Sequence, residues 1–150
     1  MADILLLEPD KLLAETYQAI CRHAGHTIRQ AVSAQEAVFA VDERMPDVIL
    51  VELQLIAHSG IEFMYELRSY HEWQTIPLLI HSCIPPSEFE DSMALLQGML
   101  GVKEYLYKPH TTLQDLLQAI SNAVPAEQPE PSVVQELKQS LLPSARLQTS

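Results

Sequence analysis

The sequence predicts a doubly wound α/β domain in which five parallel strands alternate with five helices. Three observations predict it. Residues 4–7, 48–51 and 78–80 are wholly apolar. They are too short for helices and lack the alternation of a half-solvated strand, so they read as strands buried on both faces. Apolar residues at helical spacing follow these runs, and Pro or Gly punctuates the junctions. The connections are short, and right-handed crossovers then make the sheet parallel.

The first strand, at 4–7, closes on Glu8, Pro9 and Asp10. Pro9 suits a turn or a helix start, where its missing N–H costs nothing. Leu12, Leu13, Thr16, Tyr17, Ile20 and Cys21 then recur at helical spacing up to a stop at Gly25. Residues 27–32 make a weaker, more polar strand, expected at the sheet edge. Ser33 and Glu36 have the form of a capping box. The helix they open carries Ala37, Val38, Ala40 and Val41 and ends before Pro46.

The third strand, residues 47–52, reads Asp-Val-Ile-Leu-Val-Glu and is the centre of the chain. It places Glu52 at the carboxyl end of a central strand, the edge where ligands bind in open α/β sheets. After an irregular stretch to Gly60, the residues Ile61, Phe63, Met64, Leu67 and Arg68 fit an amphipathic helix to about Tyr70. The fourth strand is entered through Pro77 and ends on Ser82. Pro85, Pro86 and Ser87 break the chain and start a helix around Met93, Leu95, Leu96, Met99 and Leu100, which Gly101 ends. A fifth strand at 105–108 is closed by Pro109. Thr111 or Thr112 caps a last helix carrying Leu113, Leu116, Leu117, Ile120 and Val124.

Residues 1–124 are therefore read as one domain. From Pro125 the composition changes, and Pro125, Pro129 and Pro131 among Glu and Gln mark a linker. Val134, Leu137, Leu141 and Leu142 fit a short amphipathic helix, so 125–150 is read as linker and tail.

Composition limits the function classes. A net charge of −11 repels nucleic acid and anionic membrane, and the nine cationic residues are scattered. A DNA-binding regulator is disfavoured also because the stretch after Pro125 is too short for a helix-turn-helix. No segment approaches the ~20 apolar residues of a membrane span. The N-terminus lacks the basic start of a signal peptide. Cys21 and Cys83 share no short spacing and read as free thiols. A cytoplasmic protein is expected. His58, His71, His81 and His110 show no metal-ligand spacing, so no metal is expected. Ser82 and His81 are not a nucleophile–base pair, because adjacent strand residues face opposite sides.

Glu8 and Asp10, Glu52, Ser82 and Lys108 all follow or end strands, and a parallel sheet would gather them at one edge. Two stretches are specific beyond this. One is Pro46 through Glu52 with Gly60 eight residues on; the other runs Gly-Val-Lys-Glu-Tyr-Leu-Tyr-Lys-Pro from 101 to 109. With Ile80, His81, Ser82 and Cys83, they make residues 2–124 resemble the receiver domain of two-component response regulators, whose fold is the five-stranded flavodoxin-like (βα)5 sheet.

The resemblance implies a signalling module rather than an enzyme. In that family an aspartate after the third strand accepts a phosphoryl group, and an acidic pair after the first strand helps hold Mg²⁺. A Ser or Thr and a Lys contact the phosphoryl oxygens, and an aromatic residue swings on activation. By position these are Ser82, Lys108 and Tyr105. The chain departs from the pattern where it matters: Glu52 occupies the acceptor position and Pro9 the second acidic place, leaving Glu8 alone. Ile56 stands where a proline is usual and Ser59 where an aspartate is common before Gly60.

The expected consequence is an atypical receiver with weak or absent Mg²⁺ binding and no phosphorylation. Pro9 offers no side-chain oxygen, and phosphoryl transfer is mostly electrostatics and positioning. The alternative is a receiver that still accepts a phosphoryl group. Glu52 is expected to pair with Lys108. If the pair is partly exposed it adds on the order of 1 kcal/mol, and Lys108→Met would then alter partner binding more than folding. A protein partner is expected, a histidine kinase or another signalling protein, or a second copy. The family's usual face would span residues 87–100, 102–107 and 112–124, with Tyr105 and Tyr107 on one side of the last strand as an aromatic patch.

Overall fold

The structure is a computed structural model that describes residues 1–124. The linker-and-tail reading therefore lies outside the described residues. The strands are β1 (Asp3–Leu7), β2 (Thr27–Ala31), β3 (Val48–Val51), β4 (Leu78–Ser82) and β5 (Val102–Tyr107). The α-helices are α1 (Lys11–His23), α2 (Ala34–Glu43), α3 (Gly60–Ser69), α4 (Met93–Gly98) and α5 (Leu113–Ala123). All strands pair in parallel in the order β2-β1-β3-β4-β5. The polar strand at 27–31 is indeed an edge.

The two apolar faces of the sheet make two cores. One packs Leu5, Leu7, Ile49, Val51, Leu78 and Ile80 with Ala37, Phe63 and Leu67 from α2 and α3. The other packs Ile4, Leu6, Val48, Leu50 and Leu79 with Ala14 and Tyr17 of α1 and Leu116 and Ile120 of α5. Every residue of β3 is buried, which is why its sequence shows no alternation.

Local chemistry sets the helix ends. Asp10 caps α1 by accepting from the Leu13 N–H at 3.0 Å. Gly25, just past that helix, has φ +95°, a left-handed backbone that favours Gly. Ser33 caps α2, but Glu36 reaches the Val32 N–H at 3.1 Å rather than that of Ser33, so the expected reciprocal box is open by one residue. Complete boxes close α3 through Ser59 and Glu62, and α5 through Thr112 and Asp115. Both carry the Ser/Thr-x-x-Glu/Asp spacing in the sequence. Thr112→Ala is expected to cost about 1 kcal/mol, measured as a lowered urea midpoint at unchanged slope.

Two expected element boundaries also need correction. The segment after Pro85 does not start an α-helix directly. A 3-10 stretch spans Pro86–Ser92 with a kink at Phe89, and α4 covers only Met93–Gly98. Paired prolines and a short polar run supply few backbone bonds to propagate a helix. β5 begins at Val102, three residues before the expected start at 105, right after Gly101 at φ +68°. Lys103 and Glu104 disguised it, because an edge strand can expose charge. A register shift there sets Leu78 opposite Val102 and Leu79 opposite Glu104.

Candidate functional site

β1, β3, β4 and β5 all deliver a polar group at their carboxyl ends, where the parallel order makes them neighbours. Glu8 follows β1, Glu52 follows β3, Ser82 ends β4 and Lys108 follows β5. The Glu52 N–H donates to the Leu7 carbonyl at 3.0 Å, and the Glu8 N–H to the Ala31 carbonyl at 3.0 Å. The backbone of each glutamate is thus fixed by the ladder continuing past its strand.

Lys108 Nζ donates to Glu8 Oε1 and to Glu52 Oε1, both at 2.6 Å. The remaining carboxylate oxygens are also engaged. Glu8 Oε2 accepts from the Asp10 N–H at 3.2 Å, and Glu52 Oε2 from the Gln54 N–H at 3.0 Å. The Ser82 hydroxyl donates to Glu52 Oε2. The side chains of Lys108, Glu8 and Glu52 are only 8%, 3% and 6% exposed. This corrects the expectation of a partly exposed pair worth about 1 kcal/mol. The cluster is buried, and it has two carboxylates to one ammonium. Burial disfavours the charged Lys108 ammonium, but the hydrogen bonds and charges of Glu52 and Glu8 outweigh it and raise its pKa above the ordinary lysine value.

Asp10 does not join the cluster with its carboxylate, which caps α1. Its backbone contributes instead. Pro9 separates it from Glu8. Mg²⁺ needs open oxygen ligands in octahedral array. Here all four oxygens of the two carboxylates already accept a hydrogen bond. This donor set suits an ammonium and does not fit Mg²⁺. Among the described residues no three His, Cys, Asp or Glu side chains stand together as metal ligands.

The site is linked to the segment after β4. Ser82 Oγ accepts from the Ile84 N–H at 3.2 Å, and the Tyr105 hydroxyl donates to the Ile84 carbonyl at 2.6 Å. Lys108, Glu52, Ser82, Ile84 and Tyr105 therefore form one continuous polar chain. Burial, with the charges of Glu52 and Glu88, pushes the Tyr105 phenol up to about 12. Its ring lies 6.0 Å from Phe89, whereas Tyr107 pairs edge-on with His110 at 4.9 Å. The two tyrosines line a common cavity of about 360 Å³ along β5 and α5, but their rings pair with different partners.

His81 turns to the opposite core from Ser82 and meets the Tyr17 ring at 4.8 Å. Burial first, then the Lys108 charge, pushes its imidazole down to about 4, so it is neutral near pH 7. Its Nδ1 has no hydrogen-bond partner. Cys83 is exposed and Cys21 is buried, where burial raises its thiol to about 11.

The backbone groups of Gln54 and Ile84 and the packing role of Gly60 were not legible as site features. Main-chain donors carry no residue signature. A Cβ on Gly60 would stand 2.5 Å from the Glu52 carbonyl oxygen, so the missing side chain lets α3 press against the strand end that aims Glu52.

Comparison with known proteins identifies the family and the fold. The family model described as response regulator receiver domain matches residues 4–121. The chain is 28% identical over 109 residues to the KDP operon transcriptional regulatory protein KdpE of Escherichia coli K12, covering 73% of this chain and 45% of that protein. It thus spans less than half the length of that curated relative. Among solved structures it resembles a response regulator receiver domain protein from Clostridium thermocellum, at TM-score 0.70 and 22% identity over 95% of this chain and all of that one. It also resembles Vibrio cholerae chemotaxis protein CheY4, at TM-score 0.71 and 19% identity over 83% of this chain and 99% of that one. At these identities the solved structures speak for the fold.

Proposed function

The chain belongs to the response regulator receiver domain family, and on that premise we propose that it is a receiver read by a protein partner without phosphorylation. Glu52 stands in the place of the acceptor aspartate. The observation that carries this reading is the closed cluster of Lys108 between Glu8 and Glu52, with Ser82 on the far oxygen of Glu52. The groups that would receive phosphoryl oxygens are already engaged, and by the residue in the acceptor position itself.

A glutamate brings about one negative charge where a phosphoryl group brings roughly two. The mimicry is partial, but it is permanent. Through Ser82 and Ile84 it ties Tyr105 to the segment before α4. Tyr105 is the switch in this reading, and its state is set by the sequence rather than by a phosphodonor. The readout surface is the face of α4, β5 and α5, including Tyr105 and Tyr107. Its partner is a histidine kinase or another signalling protein, or a second copy of this chain. Mg²⁺ binds weakly or not at all, since Pro9 supplies no side-chain oxygen and the carboxylate oxygens of Glu8 and Glu52 are taken.

The test is intact mass after incubation of the full-length protein with acetyl phosphate and Mg²⁺. A receiver with aspartates at the corresponding positions is labelled in parallel. The expected result is an unchanged mass for this chain and a gain of one phosphoryl group for the control. A stable phosphoryl adduct mapped to Glu52 would overturn the reading and restore a working phosphorelay element.

A further inference from the structure

α2 buries Ala34, Ala37 and Val41 against the sheet. Phe39 lies off that stripe and is 63% exposed. It sits between two cavities. One, of about 570 Å³, lies between α2 and α3 and is lined by Phe39, Val38, Tyr70, His58, Glu62 and Glu66 among others. The other, of about 460 Å³, is lined by Phe39 with Glu36, Asp42 and Glu43. Neither lining contains a lysine or an arginine. Arg44, next along the chain, is turned away to Asp3 at 2.9 Å. Tyr70, 40% exposed, adds a second ring to the lining of the larger cavity.

An exposed phenylalanine contributes nothing to the core, and aromatic residues are enriched in interface cores. Here the aromatic centre is surrounded by five carboxylates with no lysine or arginine among the lining residues, and the His58 imidazole, 3.9 Å from Glu62, brings a positive charge only when protonated. We propose that the α2–α3 groove centred on Phe39 docks a partner segment carrying an apolar anchor flanked by lysine or arginine. The anchor lies against Phe39 and Tyr70, and the cations meet the carboxylates around the groove. Charge argues against the other occupants. A second copy brings a further −11, and residues 125–150 carry three glutamates against one lysine and one arginine. The groove lies apart from the Glu52–Lys108 cluster and from the α4–β5–α5 face, so its test is independent of the phosphorylation test.

Three synthetic amphipathic peptides test this against the full-length protein, by fluorescence anisotropy with amide shift mapping. One carries leucine anchors and lysine flanks, one the same anchors with glutamate flanks, and one lysine flanks with serines as anchors. The leucine–lysine peptide is expected to bind, shift the amides around Phe39, Glu66 and Tyr70, and weaken as salt rises. Phe39→Ala and Glu66→Lys, both at exposed positions, are each expected to weaken it by roughly tenfold. The proposal fails if none of the peptides binds, if the serine peptide binds equally well, or if Phe39→Ala leaves binding unchanged. It fails equally if Phe39→Ala abolishes self-association seen by sedimentation. A Leu137→Asp/Leu141→Asp variant that shifts the Phe39 amide would assign the groove to the chain's own tail instead.

Discussion

Lys108→Met is expected to destabilise the fold by about 3–5 kcal/mol, the range for removing one partner of a buried ion pair. The ammonium is shared by two carboxylates that are nearly solvent-free, at 3% and 6% side-chain exposure. Methionine fills much the same volume but leaves Glu8 and Glu52 facing each other without a cation. Urea unfolding at pH 8 is the measurement, read as a lower midpoint at unchanged slope. The pH dependence separates this cause from loss of packing. Two facing carboxylates repel only while both are charged, so the variant should recover part of the loss at mildly acidic pH. In the wild type the sign is different. The folded pKa of Lys108 is raised, so its contribution is complete below the unfolded lysine value of about 10.4 and fades only as pH climbs through the folded value. Wild-type stability from this cluster should therefore hold from neutral pH to the lysine range. A variant as stable as the wild type at pH 8 would show that the cluster contributes no net stability.

Gly60→Ala is expected to cost about 2–3 kcal/mol, towards the upper end of overpacking penalties. The added Cβ would meet the Glu52 carbonyl oxygen at 2.5 Å, Val51 Cγ1 at 2.8 Å and the Leu53 Cα at 2.9 Å. Two of the three are backbone atoms of the segment that aims Glu52, so relief requires moving that segment. Gly98→Ala is the matched control, because nothing lies within 4 Å of its Cβ position. As the last residue of α4 it should change stability by under about 1 kcal/mol, in the stabilising direction. Thermal unfolding of the two variants and the amide shifts of Glu52 check both statements. Equal behaviour of the two would mean that α3 does not bear on the strand end.

Much of this molecule is local and therefore readable from the chain. The apolar runs at 4–7, 48–51 and 78–80 identify strands because a strand buried on both faces has no polar side. The alternation of strands and helices dictates a parallel sheet through crossover handedness. The placement of Glu8, Glu52, Ser82 and Lys108 at strand ends follows directly, because in a parallel sheet all such ends share one edge. Where local signals are weak the chain hides its elements. β5 hides behind Lys103 and Glu104, since an edge strand need not be apolar, and the stretch after Pro85 lacks the periodicity that would separate a 3-10 turn from a helix.

The sequence by itself thus determined the element order, the sheet type and the residues that meet at its edge. The expected pairing of Glu52 with Lys108 is present, and tertiary structure added the second carboxylate, Glu8, to the same ammonium. Lys108 stands 100 residues from Glu8 and 56 from Glu52, and no periodicity encodes which carboxylate an ammonium at that distance will choose. It takes both, because β1 and β3 are neighbours and their ends lie within reach of one amine. Burial was likewise not readable, since it depends on the loops and helices that close over the edge. It is burial that turns an ordinary lysine–glutamate pair into a cluster whose disruption is expected to cost several kcal/mol, because charges removed from water have only each other to compensate them.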